Sequence, residues 1–72
     1  MTSDIITRFV EARPFVPFEI ITVDGRAMPV PHSDFATLER FAAAVVIYDT
    51  SGHTEIVDPN LIVSLRPLQP IE

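Results

Sequence analysis

The chain has 72 residues and a mass of 8.0 kDa, which leaves room for one small domain, residues 1–72, and for no second core or two-domain cleft. Apolar residues make up 47% and charged residues 21%, so the chain is too hydrophobic to be disordered. Ten acids face five bases, all of them Arg, for a formal net charge of −5, and this lacks the broad positive field that drives nonspecific nucleic-acid binding.

Residues 3–13 read as a helix. Ile5, Ile6, Phe9 and Val10 share one face, Ser3 suits the N-cap and Asp4 suits the positive end of the helix dipole. Pro14 stops it, because the residue before a proline is pushed out of the helical region. Pro14-Phe15-Val16-Pro17 follows as a stiff extended connector, with Phe15 and Phe18 placed to pin the helix onto what comes next.

Residues 18–23 are branched and aromatic and read as a strand. Asp24-Gly25 predicts a two-residue type I′ hairpin turn, with residues 26–30 as the return strand. That register sets Val23 opposite Arg26, Ile21 opposite Met28 and Glu19 opposite Val30. The N–H groups of residues 26, 28 and 30 then face the first strand. Pro29 and Pro31 face away, so this strand is either an edge or leaves the sheet by a bulge.

His32-Ser33-Asp34-Phe35 reads as a turn capped by Asp34, and residues 36–41 are ambiguous between short helix and loop. Strands are predicted at 44–48, 53–58 and 61–65, the first two joined by a bulged three-residue loop with Gly52 in the left-handed position. Pro59-Asn60 makes a tight corner before the last strand. Pro67 and Pro70 leave 67–72 as a loose tail. The fold class is α+β, mostly β: an N-terminal helix followed by a strongly bent five-stranded antiparallel sheet or small open barrel.

Arg13-Pro14-Phe15-x-Pro17-Phe18-x-Ile20, Asp24-Gly25-Arg26 and His32-x-x-Phe35 together resemble a family of short, uncharacterised bacterial proteins. The resemblance covers nearly the whole chain and rests most on the R-P-F-x-P-F segment. Ser33 stands where such proteins often carry proline, and Pro29 and Pro31 are additional. The resemblance supports fold and length and transfers no site. The order of a helix and five strands, with an Asp-Gly-Arg turn after the first strand, also resembles the Sm-like fold; an SH3-like barrel is the related alternative. The resemblance implies an RNA site built from an Asp and Asn in one loop and an Arg-Gly pair in another. Here no Asp-x-x-x-Asn follows the second strand, and the last corner is Asp58-Pro59-Asn60.

His32 with Asp34, and Asp49 with His53 across a hairpin, are candidate metal pairs, each one or two ligands short of a typical site. Ser33 directly follows His32, which points the two side chains apart, while Ser51 and Ser64 read as turn and strand residues. No nucleophile elbow, phosphate loop, dinucleotide fingerprint or paired-carboxylate spacing occurs. The sequence therefore assigns no catalytic, cofactor-binding or metal residue and does not read as an enzyme. It has no Cys, and its start, Met1-Thr2-Ser3-Asp4, is unlike a signal peptide, so a cytoplasmic location is expected. High apolar content in a short chain predicts an interaction or structural module that self-associates through the strands after residue 44, with an unidentified protein partner as a further expectation. Val46, Tyr48 and Ile56 fall on one face of those strands, and Val45, Ile47 and Val57 on the other.

Overall fold

A computed structural model describes residues 2–39 and 43–68. Helix α1 spans Ser3–Glu11, with Thr2 rather than Ser3 at its N-cap and no side-chain capping bond there. It ends two residues before the expected Arg13. The Arg13 guanidinium folds back and donates to the carbonyls of Val10 (3.3 Å) and Ala12 (2.7 Å), satisfying acceptors that the ending helix exposes. Ile6 is fully buried, whereas Ile5 lies at the rim. Phe9 meets Phe18 edge-on, with ring centroids 5.2 Å apart, and Phe15 meets Phe18 at 5.9 Å. The pinning role expected of Phe15 and Phe18 is therefore real, and Phe9 shares it.

Strand β1 (Phe18–Thr22) is central to the first sheet, between β2 (Ala27–Val30) and β6 (Ile62–Pro67). Phe18, Ile20 and Thr22 face the core in strict alternation. The β1–β2 register pairs Phe18 with Val30, Ile20 with Met28 and Ile21 with Ala27, one residue away from the expected pairing. The turn holds three residues, Val23-Asp24-Gly25, closed by the Thr22 N–H on the Arg26 carbonyl at 3.0 Å. A type I′ turn needs positive φ at both central residues, and only Gly25 (φ +86°) has it. Asp24 instead accepts a hydrogen bond from the Thr22 hydroxyl.

Arg26 remains the residue that closes the loop, so the inward direction of the N–H groups at 26, 28 and 30 survives the change of register. Pro29 faces outward, and β2 is an edge strand.

The second sheet has the order β3 (Ala36–Glu39), β4 (Ala44–Tyr48), β5 (Thr54–Val57). β3 is a strand where helix or loop was expected, preceded by a 3-10 turn at Ser33–Phe35. The β4–β5 loop is the bulged form expected: Asp49 pairs with His53 (N–H to carbonyl, 3.0 Å) and Gly52 has φ +91°.

β6 does not continue this unit. After β5 a 3-10 turn at Pro59–Leu61 carries the chain across to β1, where the Val23 N–H donates to the Leu61 carbonyl at 2.8 Å. The Asp58 carboxylate accepts from the Asn60 N–H (2.9 Å), and Pro59 is buried, which fixes the corner. β6 also runs past the predicted end at Leu65, and the Leu68 N–H bonds the Pro17 carbonyl at 2.9 Å, so the start of the predicted tail is tied down. The rest of that tail, 69–72, lies outside the described residues.

The described residues are thus α+β with six strands in two three-stranded antiparallel sheets that do not close, rather than one five-stranded sheet. The core is Ile6, Phe18, Ile20, Val30, Ala36, Val45, Ile47, Val57 and Ile62, drawn from the helix and every strand. Each large member stabilises the fold by about 1.5–3 kcal/mol through removal from water.

Candidate functional site

The Asp24-Gly25-Arg26 turn is the best-connected polar feature. Thr22, 3% exposed, sends its hydroxyl to Asp24. Arg26 Nε lies 3.2 Å from Asp24 Oδ2, and its Nη2 lies 2.5 Å from Glu55 Oε2 on β5. The chain Thr22, Asp24, Arg26, Glu55 thereby joins the two sheets. The Thr22 hydroxyl, with help from Arg26, holds the Asp24 carboxyl below its ordinary range despite some desolvation. The hydrogen bond that Arg26 donates to the Glu55 carboxylate raises the Arg26 guanidinium. All the charged members are well exposed, so this is a link rather than a reaction centre.

The β4–β5 hairpin tip gathers Asp49, Ser51 and His53, three residue types that can form a hydrolytic site. Asp49 Oδ1 accepts from the Ser51 N–H (3.0 Å), the Ser51 hydroxyl (2.7 Å) and the His53 N–H (2.9 Å). Ser51 Oγ lies 2.8 Å from His53 Nδ1, and Nδ1 lies 3.5 Å from Asp49 Oδ2. The single hydroxyl proton goes to Asp49, so Nδ1 is the donor toward Ser51.

Nucleophilic catalysis needs the reverse, with imidazole taking the serine proton and carboxylate holding the other ring nitrogen. Here the serine proton meets a carboxyl that its hydrogen bonds, led by the Ser51 hydroxyl, hold below its ordinary range. The His53 side chain is 83% exposed, so nothing excludes water. The trio locks the loop, as Asx-type bonding does.

Asp49 and His53 do stand opposite each other, as the sequence predicts. Among the described residues no group of three or more His, Asp or Glu side chains is placed to hold a metal ion. His32 and Asp34 stay apart in role: His32 occupies the cap position of the 3-10 turn and its ring lies 5.9 Å from Phe35, while Asp34 sits exposed inside the turn. Asp34 is therefore not the cap expected of it. Ser33 is half-buried in the same turn, and Ser64 is half-buried on β6 opposite Ile21.

An open cleft of about 640 Å³ lies between the start of α1 and the β5–β6 corner, with Asp4, Thr7, Leu38, Glu39, Asp58 and Asn60 among its walls. Sequence reasoning missed it because its residues come from three distant stretches with no shared motif. Among the described arginines, Arg8 lies exposed in the last turn of α1, Arg13 serves the helix end, Arg26 the inter-sheet link, and Arg66 pairs with Glu19 across β1 and β6 at 2.5 Å. Arg40 lies outside the described residues.

The faces predicted for β4 and β5 are those observed. Val45, Ile47 and Val57 are buried, and the opposite face shows Val46 half-buried, Tyr48 39% exposed and Ile56 70% exposed. Comparison with known protein families, with curated proteins and with solved structures finds no significant match.

Proposed function

We propose that the chain is a small interaction module of the cytoplasm that self-associates through the strands after residue 44. The observation that carries this reading is the apolar surface there: Tyr48, Ile56, Leu61, Val63 and Leu68 are all exposed, on a domain this small. The Asp24-Arg26-Glu55 and Asp49-Ser51-His53 groupings support it too, because one joins the sheets and the other holds a turn. No helix among the described residues is long and apolar enough to cross a membrane. Light scattering tests the reading: oligomers at tens of micromolar, an order-of-magnitude choice for typical homodimers, are expected, and a clean monomer overturns it.

One observation favours the Sm-like or SH3-like reading of the fold. β2 and β3 can be taken as halves of one bent strand broken at Pro31 and the 3-10 turn. The order then becomes β6, β1, β2 with β3, β4, β5, a bent five-stranded path. An RNA function on that frame is the alternative, and the pairing of Arg26 and Arg66 with Glu55 and Glu19 counts against it. Oligonucleotide affinity that rises steeply as salt is lowered would favour the alternative; no binding at low salt removes it.

A further inference from the structure

The two sheets have four outer edges, and they are not equivalent. Inter-strand bonding alternates along a strand, so each residue directs its N–H and C=O either to its partner or to the free side. On β2 the free side takes positions 27 and 29, and 29 is proline. On β6 the bonds at Val23–Leu61 and Pro17–Leu68 frame the ladder, with Arg66 opposite Glu19 and Ser64 opposite Ile21; positions 65 and 67 then face the free side, and 67 too is proline. The register shift beside Ile62 interrupts the other end of that edge. On β3, helix α1 lies close, with Thr7, Val10 and Glu11 across a shallow groove from Ala36, Thr37 and Leu38.

β5 has neither device. The Asp49–His53 bond sets positions 53, 55 and 57 toward β4, so Thr54 and Ile56 direct N–H and C=O groups to the free side. No strand among the described residues pairs there. The same short strand carries Ile56, the most exposed large apolar residue described, beside Val46 on the outer face.

We infer that β5 is the interface strand, pairing antiparallel with β5 of a second copy about a two-fold axis at Ile56, a choice that rests on the self-association reading above. Charge is compatible with a second copy as occupant and selects the register. With Ile56 on Ile56 of the copy, Thr54 meets Asp58 and Glu55 meets Val57, so no like charges stand opposed although each chain carries −5. A shift by one pairing step sets Glu55 against Glu55 and takes Ile56 off its mate. The centred register joins the two outer sheets into one of six strands and makes the Val46, Tyr48 and Ile56 surface continuous across the axis.

The test is sedimentation velocity on the full chain at about 100 μM, above the micromolar Kd range, with Ile56→Lys and Val63→Lys compared. Dimers are expected for the natural chain and for Val63→Lys, and monomer for Ile56→Lys, with an unchanged circular dichroism spectrum because Ile56 is solvent-facing. In a mixed labelled and unlabelled sample, an intermolecular Overhauser contact between the Hα atoms of Glu55 and Val57 reports the register, since non-hydrogen-bonded pairs bring Cα atoms to about 4.5 Å. A monomeric natural chain overturns both this inference and the self-association reading. A dimer that Val63→Lys breaks and Ile56→Lys spares overturns the β5 interface alone, and a dimer without the Glu55–Val57 contact overturns the register.

Discussion

Thr22 is a polar residue at a position where β1 otherwise presents Phe18 and Ile20 to the core. Its hydroxyl is satisfied by Asp24, which explains how a buried oxygen is tolerated. Thr22→Val keeps the shape and removes that bond, so the Asp24 carboxyl is expected to move up toward its ordinary 3.8, read by carbon-detected NMR titration. A carboxyl held low in the folded state binds its proton more weakly there than when unfolded. Its stabilisation is complete above 3.8 and is lost as pH falls below 3.8 through the folded value. Urea unfolding followed from pH 5 downward is therefore expected to show a weaker acid loss in the Asp24→Asn, Asp49→Asn double variant than in the natural chain. Gly25 stands in the left-handed region with open space around its Cβ position, so Gly25→Ala meets only backbone strain, about 1–2 kcal/mol by denaturant unfolding.

Among the elements, those with local signals were legible in the sequence. The helix face around Ile6, the Gly52 loop and the Pro59-Asn60 corner each depend on residues within a few positions of one another. The β1–β2 register was missed by one residue because Asp24-Gly25 also suits a bulged three-residue loop, and the Asp24 side chain decides between the two. β3 was missed because its alternation lasts four residues and Leu38-Glu39 lead into a helix-favouring alanine stretch; pairing with β4 overrides that preference. The hairpin trio was legible as an Asp49–His53 pair, but the place of Ser51 between them depends on the loop's fold. Pro29 shows an element property that can be tested directly. Pro29→Thr restores an outward N–H on β2, and concentration-dependent light scattering beyond that of the natural chain is expected.

At the scale of the molecule, stability rests on the shared core more than on the charged link between sheets. Phe18 is fully buried and meets both Phe9 and Phe15, so Phe18→Ala is expected to cost about 3–5 kcal/mol. That is comparable to the whole stability of a domain of this size, and loss of the cooperative thermal transition is the expected readout. Glu55→Gln, which weakens the exposed Arg26 link, is expected to lower the melting midpoint far less. A larger drop than for Phe18→Ala would show that the ionic chain, not the core, holds the sheets together.

The outward-facing prolines of the first sheet also bear on how far an assembly can grow. A protein with two open strand edges can add copies at both ends and has no natural stopping point. Here Pro29 and Pro67 each remove an outward N–H from an edge of one sheet, and α1 packs near β3 of the other. The β5 edge, paired with its own copy as proposed, is consumed in the meeting. On the β5 proposal, association would stop at two, because the edge that meets its copy is the one consumed.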